Sequence, residues 1–99
     1  MQGVALIAHF AGDPDDLTPR IRDAARRYSS SRVGPQPTNA LLLRNKDGVT
    51  AVFAWPEGAS LQPFRTFLRG ALEELGLPHP RVEHYRADAA GWDSIQQTA

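Results

Sequence analysis

Residues 2–12 read Gln-Gly-Val-Ala-Leu-Ile-Ala-His-Phe-Ala-Gly, QGVALIAHFAG. Val4, Leu6, Ala8 and Phe10 share one parity; Ala5, Ile7 and His9 share the other. A strand with one wet face alternates apolar and polar side chains. This one is apolar on both faces except at His9, so it predicts a central strand covered on both sides. Two questions follow: what covers the second face, and what His9 does there.

The flanking chain supplies the partners. Gly12-Asp13-Pro14 ends the strand, and Asp13 can cap a helix with Pro14 in its first turn. Thr18-Pro19 repeats that signal. A proline deep in a helix loses a backbone bond, so the expectation is a turn over 13–17 and a helix from about Thr18. Ile21, Ala24, Ala25 and Tyr28 form its apolar stripe, with Arg20, Arg22, Asp23, Arg26 and Arg27 on the wetter face. Residues 29–37 are rich in Ser, Gly and Pro and read as a loop. A strand over 39–44 leads through Asn45-Lys46-Asp47-Gly48, where Asp-Gly supplies the positive-φ residues of a tight hairpin. Residues 49–55 form the next, almost wholly apolar strand. Ser60 is the expected N-cap of a second helix with Leu61, Phe64, Phe67, Leu68, Ala71, Leu72 and Leu75 on one stripe. Gly76 suits the left-handed position past its end, Leu77 the accompanying contact and Pro78 the stop. Residues 81–87 form a fourth strand, and the remainder to Ala99 is a polar tail carrying Trp92 and Ile95.

Order β-α-β-β-α-β with two right-handed split βαβ units predicts an α+β, ferredoxin-like fold: a four-stranded antiparallel sheet in order 4-1-3-2 with both helices on one face. The reading is one domain over 1–87 and a polar C-terminal tail over 88–99. Strands one and three become central. Helices on one side leave an apolar sheet face bare, and a second copy packing face to face would cover it. A homodimer through the open sheet face is therefore the expected partner.

The bulk numbers narrow the function classes. A chain of 99 residues, 41% hydrophobic and 22% charged, has the composition of an ordinary globular domain. Eleven basic and eleven acidic residues cancel, so no global basic field points to nucleic acid. No apolar run reaches membrane-spanning length, and the N-terminus has no basic, then long apolar, leader pattern. The absence of cysteine excludes disulfides and thiolate chemistry and suits a reducing compartment. The expectation is a cytoplasmic protein without nucleic-acid or membrane partners. Ten of the eleven basic residues are Arg, a bias typical of a GC-rich bacterial coding sequence. Nucleotide loops, Gly-x-Ser-x-Gly elbows and His-Glu-x-x-His are all missing.

Element order, the Ala8-x-Phe10 first strand and Val52-Phe53-Ala54-Trp55-Pro56 ahead of the second helix resemble the dimeric α+β barrel superfamily, with its antibiotic-biosynthesis-monooxygenase-like and stress-responsive barrel families. The resemblance spans residues 3 to about 87. It implies a dimer with a small-molecule pocket between sheet and helices or in the barrel. Some members oxidise aromatic substrates without a cofactor and some bind haem. Haem-degrading members resemble one another in an Asn on the first strand, a Trp on the third and a His on the second helix. Here the second helix carries Arg65 and Arg69 and no histidine, and the first strand has His9, so neither cofactor nor metal is expected.

Each candidate residue has a plainer alternative. His9 is the candidate catalytic base, because imidazole titrates near neutrality; otherwise it is a hydrogen-bonded residue at the rim of the dimer face. Antiparallel pairing places it near Val49-Thr50, near Arg44-Asn45 at the hairpin and near the Glu83-His84 pair. Trp55 and Asn39 lie at the other end of the sheet, Trp55 roughly 15–20 Å from His9 at about 3.3 Å per residue. Phe53 and Trp55 are candidate walls for a planar ligand; otherwise they are core. Tyr28, Tyr85 and Asn39 complete the candidate ligand-binding set, with core packing the alternative for the tyrosines. Glu83 and His84, adjacent in a strand, face opposite ways and cannot join His9 in one metal site. Three readings result: a dimeric binder of a small apolar or aromatic molecule with no assigned activity, a cofactor-independent monooxygenase-like enzyme on an aromatic substrate, and an interaction dimer without a pocket.

Overall fold

In a computed structural model that describes residues 2–88, the chain runs β1 (Gln2–Ala11), α1 (Pro14–Ser31), β2 (Asn39–Asn45), β3 (Gly48–Pro56), α2 (Gln62–Glu74) and β4 (Arg81–Asp88). The sheet order is β2-β3-β1-β4, the expected ferredoxin-like arrangement, and every neighbouring pair is antiparallel. Trp92, Ile95 and the rest of the tail past Asp88 lie outside the described residues.

Alternation on the two central strands sorts their side chains. Leu6, Ala8 and Phe10 of β1 and Val49, Ala51, Phe53 and Trp55 of β3 face the helices and are buried. Their registered partners of opposite parity, Ala5↔Ala54, Ile7↔Val52 and His9↔Thr50, lie on the open face. β2 adds Asn39, Leu41 and Leu43 to that face, opposite Ala54, Val52 and Thr50. β4 adds Arg81, Glu83 and Tyr85, opposite His9, Ile7 and Ala5. Both helices pack on the other side around Phe64, whose ring meets Tyr28 at 5.0 Å, Phe53 at 5.0 Å and Trp55 at 4.9 Å between centroids. Edge-on and tilted packing at these distances suits the quadrupoles of the rings. Trp55 Nε1 and the Tyr28 hydroxyl both donate to the Pro35 carbonyl, at 3.1 and 2.8 Å. One loop oxygen thereby satisfies the two polar atoms of the aromatic core.

Three local expectations are corrected. The first helix begins at Pro14, not near Thr18, and carries Pro19 inside it. Asp13 caps it by accepting from Asp15 N at 3.0 Å, and the extra turn buries Leu17. Pro19 sits early in the helix, where it omits only the bond to the Asp15 carbonyl. The second helix is not capped by Ser60: it follows Leu61, without a side-chain cap, and Pro63 sets its first turn. At its end Gly76 takes φ 65° and Leu77 N donates to Leu72 O at 2.9 Å, as a left-handed terminator requires.

The third correction is the β2–β3 hairpin. Gly48 is not in the positive-φ region; among the described glycines only Gly12, Gly58 and Gly76 are. Instead Asn45 Oδ1 accepts from Asp47 N at 2.8 Å and Gly48 N at 3.0 Å, so a side chain shapes the turn. Glycine is needed at 48 for closeness, because a Cβ there would stand 1.9 Å from the Phe10 carbonyl oxygen. Gly48→Ala is expected to destabilise the chain by about 2–3 kcal/mol by forcing the β1–β3 ladder apart. Urea unfolding checks this through a lowered midpoint at unchanged slope.

Candidate functional site

The sheet divides the candidate residues into two groups. Phe53, Trp55 and Tyr28 lie on the helix side; His9, Tyr85 and Asn39 lie on the open side. His9 pairs with Thr50 and Trp55 with Val4, five residues apart along β1 and on opposite faces. No ligand resting on one face touches all six residues.

On the helix side, an enclosed apolar void of about 20 Å³ sits among Tyr28, Phe53, Phe64 and Phe67, room for one water-sized body. Two clefts lie beside it toward β2. One, of about 170 Å³, lies between Arg22 and Ala25 of α1 and Ala40, Leu41 and Leu42 of β2. The other, of about 230 Å³, runs past Ser29, Gln36 and Pro37 to Phe64. Ala25 and Phe53 line all three spaces. The sequence marks the cause, because α1 presents only alanines at 24 and 25, leaving room above Ala40. Trp55 lines none of these spaces: it is 2% exposed, with its N–H committed to Pro35. Burial raises the Tyr28 hydroxyl pKa, so it stays protonated and serves as a donor.

On the open side His9 bridges two strands. Its Nδ1 lies 3.1 Å from Thr50 Oγ1 and its Nε2 2.5 Å from Glu83 Oε1. An ionised carboxylate only accepts, so Nε2 carries the proton toward Glu83, and in the neutral ring Nδ1 accepts from the Thr50 hydroxyl. The Tyr85 hydroxyl donates to Glu83 Oε2 at 2.8 Å, and Arg81 Nη1 stands 3.8 Å from Oε1. The Tyr85 and His9 hydrogen bonds hold the Glu83 carboxyl below its ordinary range. The same bond to Glu83 raises the Tyr85 hydroxyl. The His9 and Glu83 side chains are about one-third exposed, at 31% and 32%, beside a cleft of about 340 Å³ that reaches Asn45, Asp47, His79 and Arg81.

Hydroxyl, imidazole and carboxylate in this order can hold and pass a proton. β3 is paired along both edges, so its backbone N–H groups serve the ladders rather than a developing oxyanion beside Thr50. His84 faces the helix side opposite Leu6, away from Glu83. Among the described residues no group of three metal-ligating side chains converges, and no helix is long and apolar enough to cross a membrane. Sequence parity located the His9 neighbourhood but left Thr50 and Glu83 out of the candidate set. The hairpin register fixes Thr50 only against Leu43; its pairing with His9 comes from the β1–β3 ladder.

Among solved structures, the chain superposes on SnoaB, a cofactor-independent oxygenase from Streptomyces nogalater, with a TM-score of 0.57 and 17% identity over 89% of this chain and 93% of that one. An alanine variant of the same protein gives 0.53 and 14% over 88% and 91%. The chain shares its fold with these oxygenases. At this identity the likeness concerns the α+β fold and no residue of the site. No protein-family model and no curated protein sequence matches the chain.

Glu83 makes stability depend on pH. Its pKa is lowered from 4.5 in the folded chain, so its contribution is complete above that value and lost as the pH falls through the depressed one. The Tm advantage of the native chain over Glu83→Gln is expected to be full near neutrality and to shrink in acid. An advantage unchanged in acid would deny the carboxylate its role.

Proposed function

We propose that the chain forms a homodimer through the open face of its sheet and binds a small, largely apolar molecule in the cleft between α1, β2 and α2. The clefts carry the ligand reading: both border Phe53 of the aromatic core, and the second reaches Tyr28 and Phe64 as well. Their lining is apolar, with Arg22, Ser29 and Gln36 at the mouth as polar anchors. The dimer reading rests on Leu41 at 59%, Leu43 at 52% and Tyr85 at 50% exposure on one face with Ile7 and Val52 between them. A second copy of that face would remove this area from water at about 25 cal/mol per Å² before the costs of association.

A second reading is favoured by the fold shared with a cofactor-independent oxygenase. In it the chain oxidises an aromatic substrate with molecular oxygen and no resident cofactor. The sheet forces a choice of face: a substrate on the open side meets His9, oriented by Glu83, as base, with Tyr85 as a wall; one in the cleft meets Phe53 and Tyr28 instead. Oxygen uptake with a polycyclic phenol, without added flavin or metal, tests the activity. His9→Ala should lower that uptake at least tenfold if the substrate lies on the open face and leave it unchanged if it lies in the cleft.

Two measurements test the leading reading. Sedimentation at micromolar concentration should give a dimer, and Leu41→Glu should convert it to monomer; a native monomer overturns the interface. A neutral fused aromatic such as 1-aminoanthracene should bind with enhanced fluorescence, and Ala25→Leu, at a residue that lines all three cavities, should weaken it by about tenfold or more. Unchanged binding in that variant would place the ligand elsewhere.

A further inference from the structure

On the other flank of the molecule, α2 and β4 enclose a groove of about 440 Å³. Its floor is apolar, made by Leu6, Leu68 and Leu72 with Val82 of β4, which is 43% exposed. Its wall is cationic. Arg65 and Arg69 stand one helical turn apart on α2, so their charges share a face and repel. Among the described residues neither is within ion-pair distance of a carboxylate, whereas Arg20, Arg27, Arg44 and Arg81 each have one. Arg65 Nη2 lies against the His84 ring, 2.7 Å from Nδ1. Partial loss of water around that ring, and then the neighbouring guanidinium, hold the His84 imidazole below its usual range. The groove is graded, since Glu73 closes the far end one turn beyond Arg69.

An apolar floor with two uncompensated guanidinium groups at one end is complementary to one kind of molecule. We propose that the α2–β4 groove is a binding site for a small amphipathic organic acid, with its anionic head between Arg65, Arg69 and His84 and its apolar body on Leu72 and Val82. The head relieves the Arg65–Arg69 repulsion and accepts charge-assisted hydrogen bonds. The apolar body covers surface that no other element covers among the described residues. A planar anionic membrane fits less well, because Glu73, which lines the groove, would face it. The site lies on the helix-facing side of the β4 edge, so a dimer formed through the open sheet face leaves it accessible.

Decanoate is the probe, with decanol as its neutral counterpart and anionic phosphatidylserine vesicles as the membrane arm, followed by NMR of the full chain. Decanoate should shift the His84 ring and Val82 methyl resonances saturably. Arg65→Gln should weaken binding by about tenfold and the double Arg65→Gln/Arg69→Gln variant further. Decanol should bind at least tenfold more weakly than decanoate. Both arginines are exposed, so the variants should keep the native Tm. Equal affinity for decanoate in the native and double-variant chains, or for decanol and decanoate, would overturn the proposal. Vesicle binding without decanoate binding would reassign the groove to a membrane surface. Resonances that move with protein concentration instead would make it an interface between copies of the chain.

Discussion

Every other feature depends on the register between β1 and β3. The two strands pair residue for residue from Gly3↔Pro56 to Ala11↔Gly48, and β1 pairs equally with β4 on its other edge. Side chains in a pleated strand alternate, so this register commits Leu6, Phe10, Phe53 and Trp55 to the helix layer and Ile7, His9, Thr50 and Val52 to the open face. A slip of one residue would send the large apolar chains to the bare face and His9 into the aromatic core. Gly48 guards the register, because only a residue without a side chain lets the hairpin approach the Phe10 carbonyl.

From that register two chemically different surfaces arise on one thin sheet. The helix side is aromatic at its centre, where the Tyr28 hydroxyl and the Trp55 N–H both donate to the Pro35 carbonyl. Along the α1–β2 seam, Ala25 and Ala40 leave clefts instead of contact. The open side is apolar at the β2 edge and polar toward β4, where Thr50, His9, Glu83 and Tyr85 form a continuous hydrogen-bonded row. A sheet face that mixes leucines with a satisfied polar row can pack against another protein surface without leaving those groups unpaired. That is why the interface reading and the His9 network are compatible on the same face.

How much was legible beforehand varied with the range of the interaction. Strand parity and helical stripes are local, and they led to the element order, the central strands and the apolar open face. Local signals also misled. Thr18-Pro19 looked like a helix start, but the Asp13 cap and the burial of Leu17 outweigh one missing bond to Asp15. Ser60 looked like a cap, but Leu61 packs on the core and the helix starts after it. Asp47-Gly48 looked like a positive-φ turn, while the need for glycine there comes from a strand outside the hairpin.

For the candidate residues, sequence alone determined which carry usable chemistry: an imidazole in an apolar strand and an aromatic pair two apart. Alternation also determined that Glu83 and His84 face opposite ways. Only the tertiary structure decided who meets whom. It placed Glu83 rather than His84 on His9, gave Trp55 and Tyr28 a shared acceptor in a loop, and set His84 against Arg65. The physical reason is that face and spacing follow from backbone periodicity within one element. Partnership depends on register and layer packing between elements far apart in the chain, and no single segment encodes those.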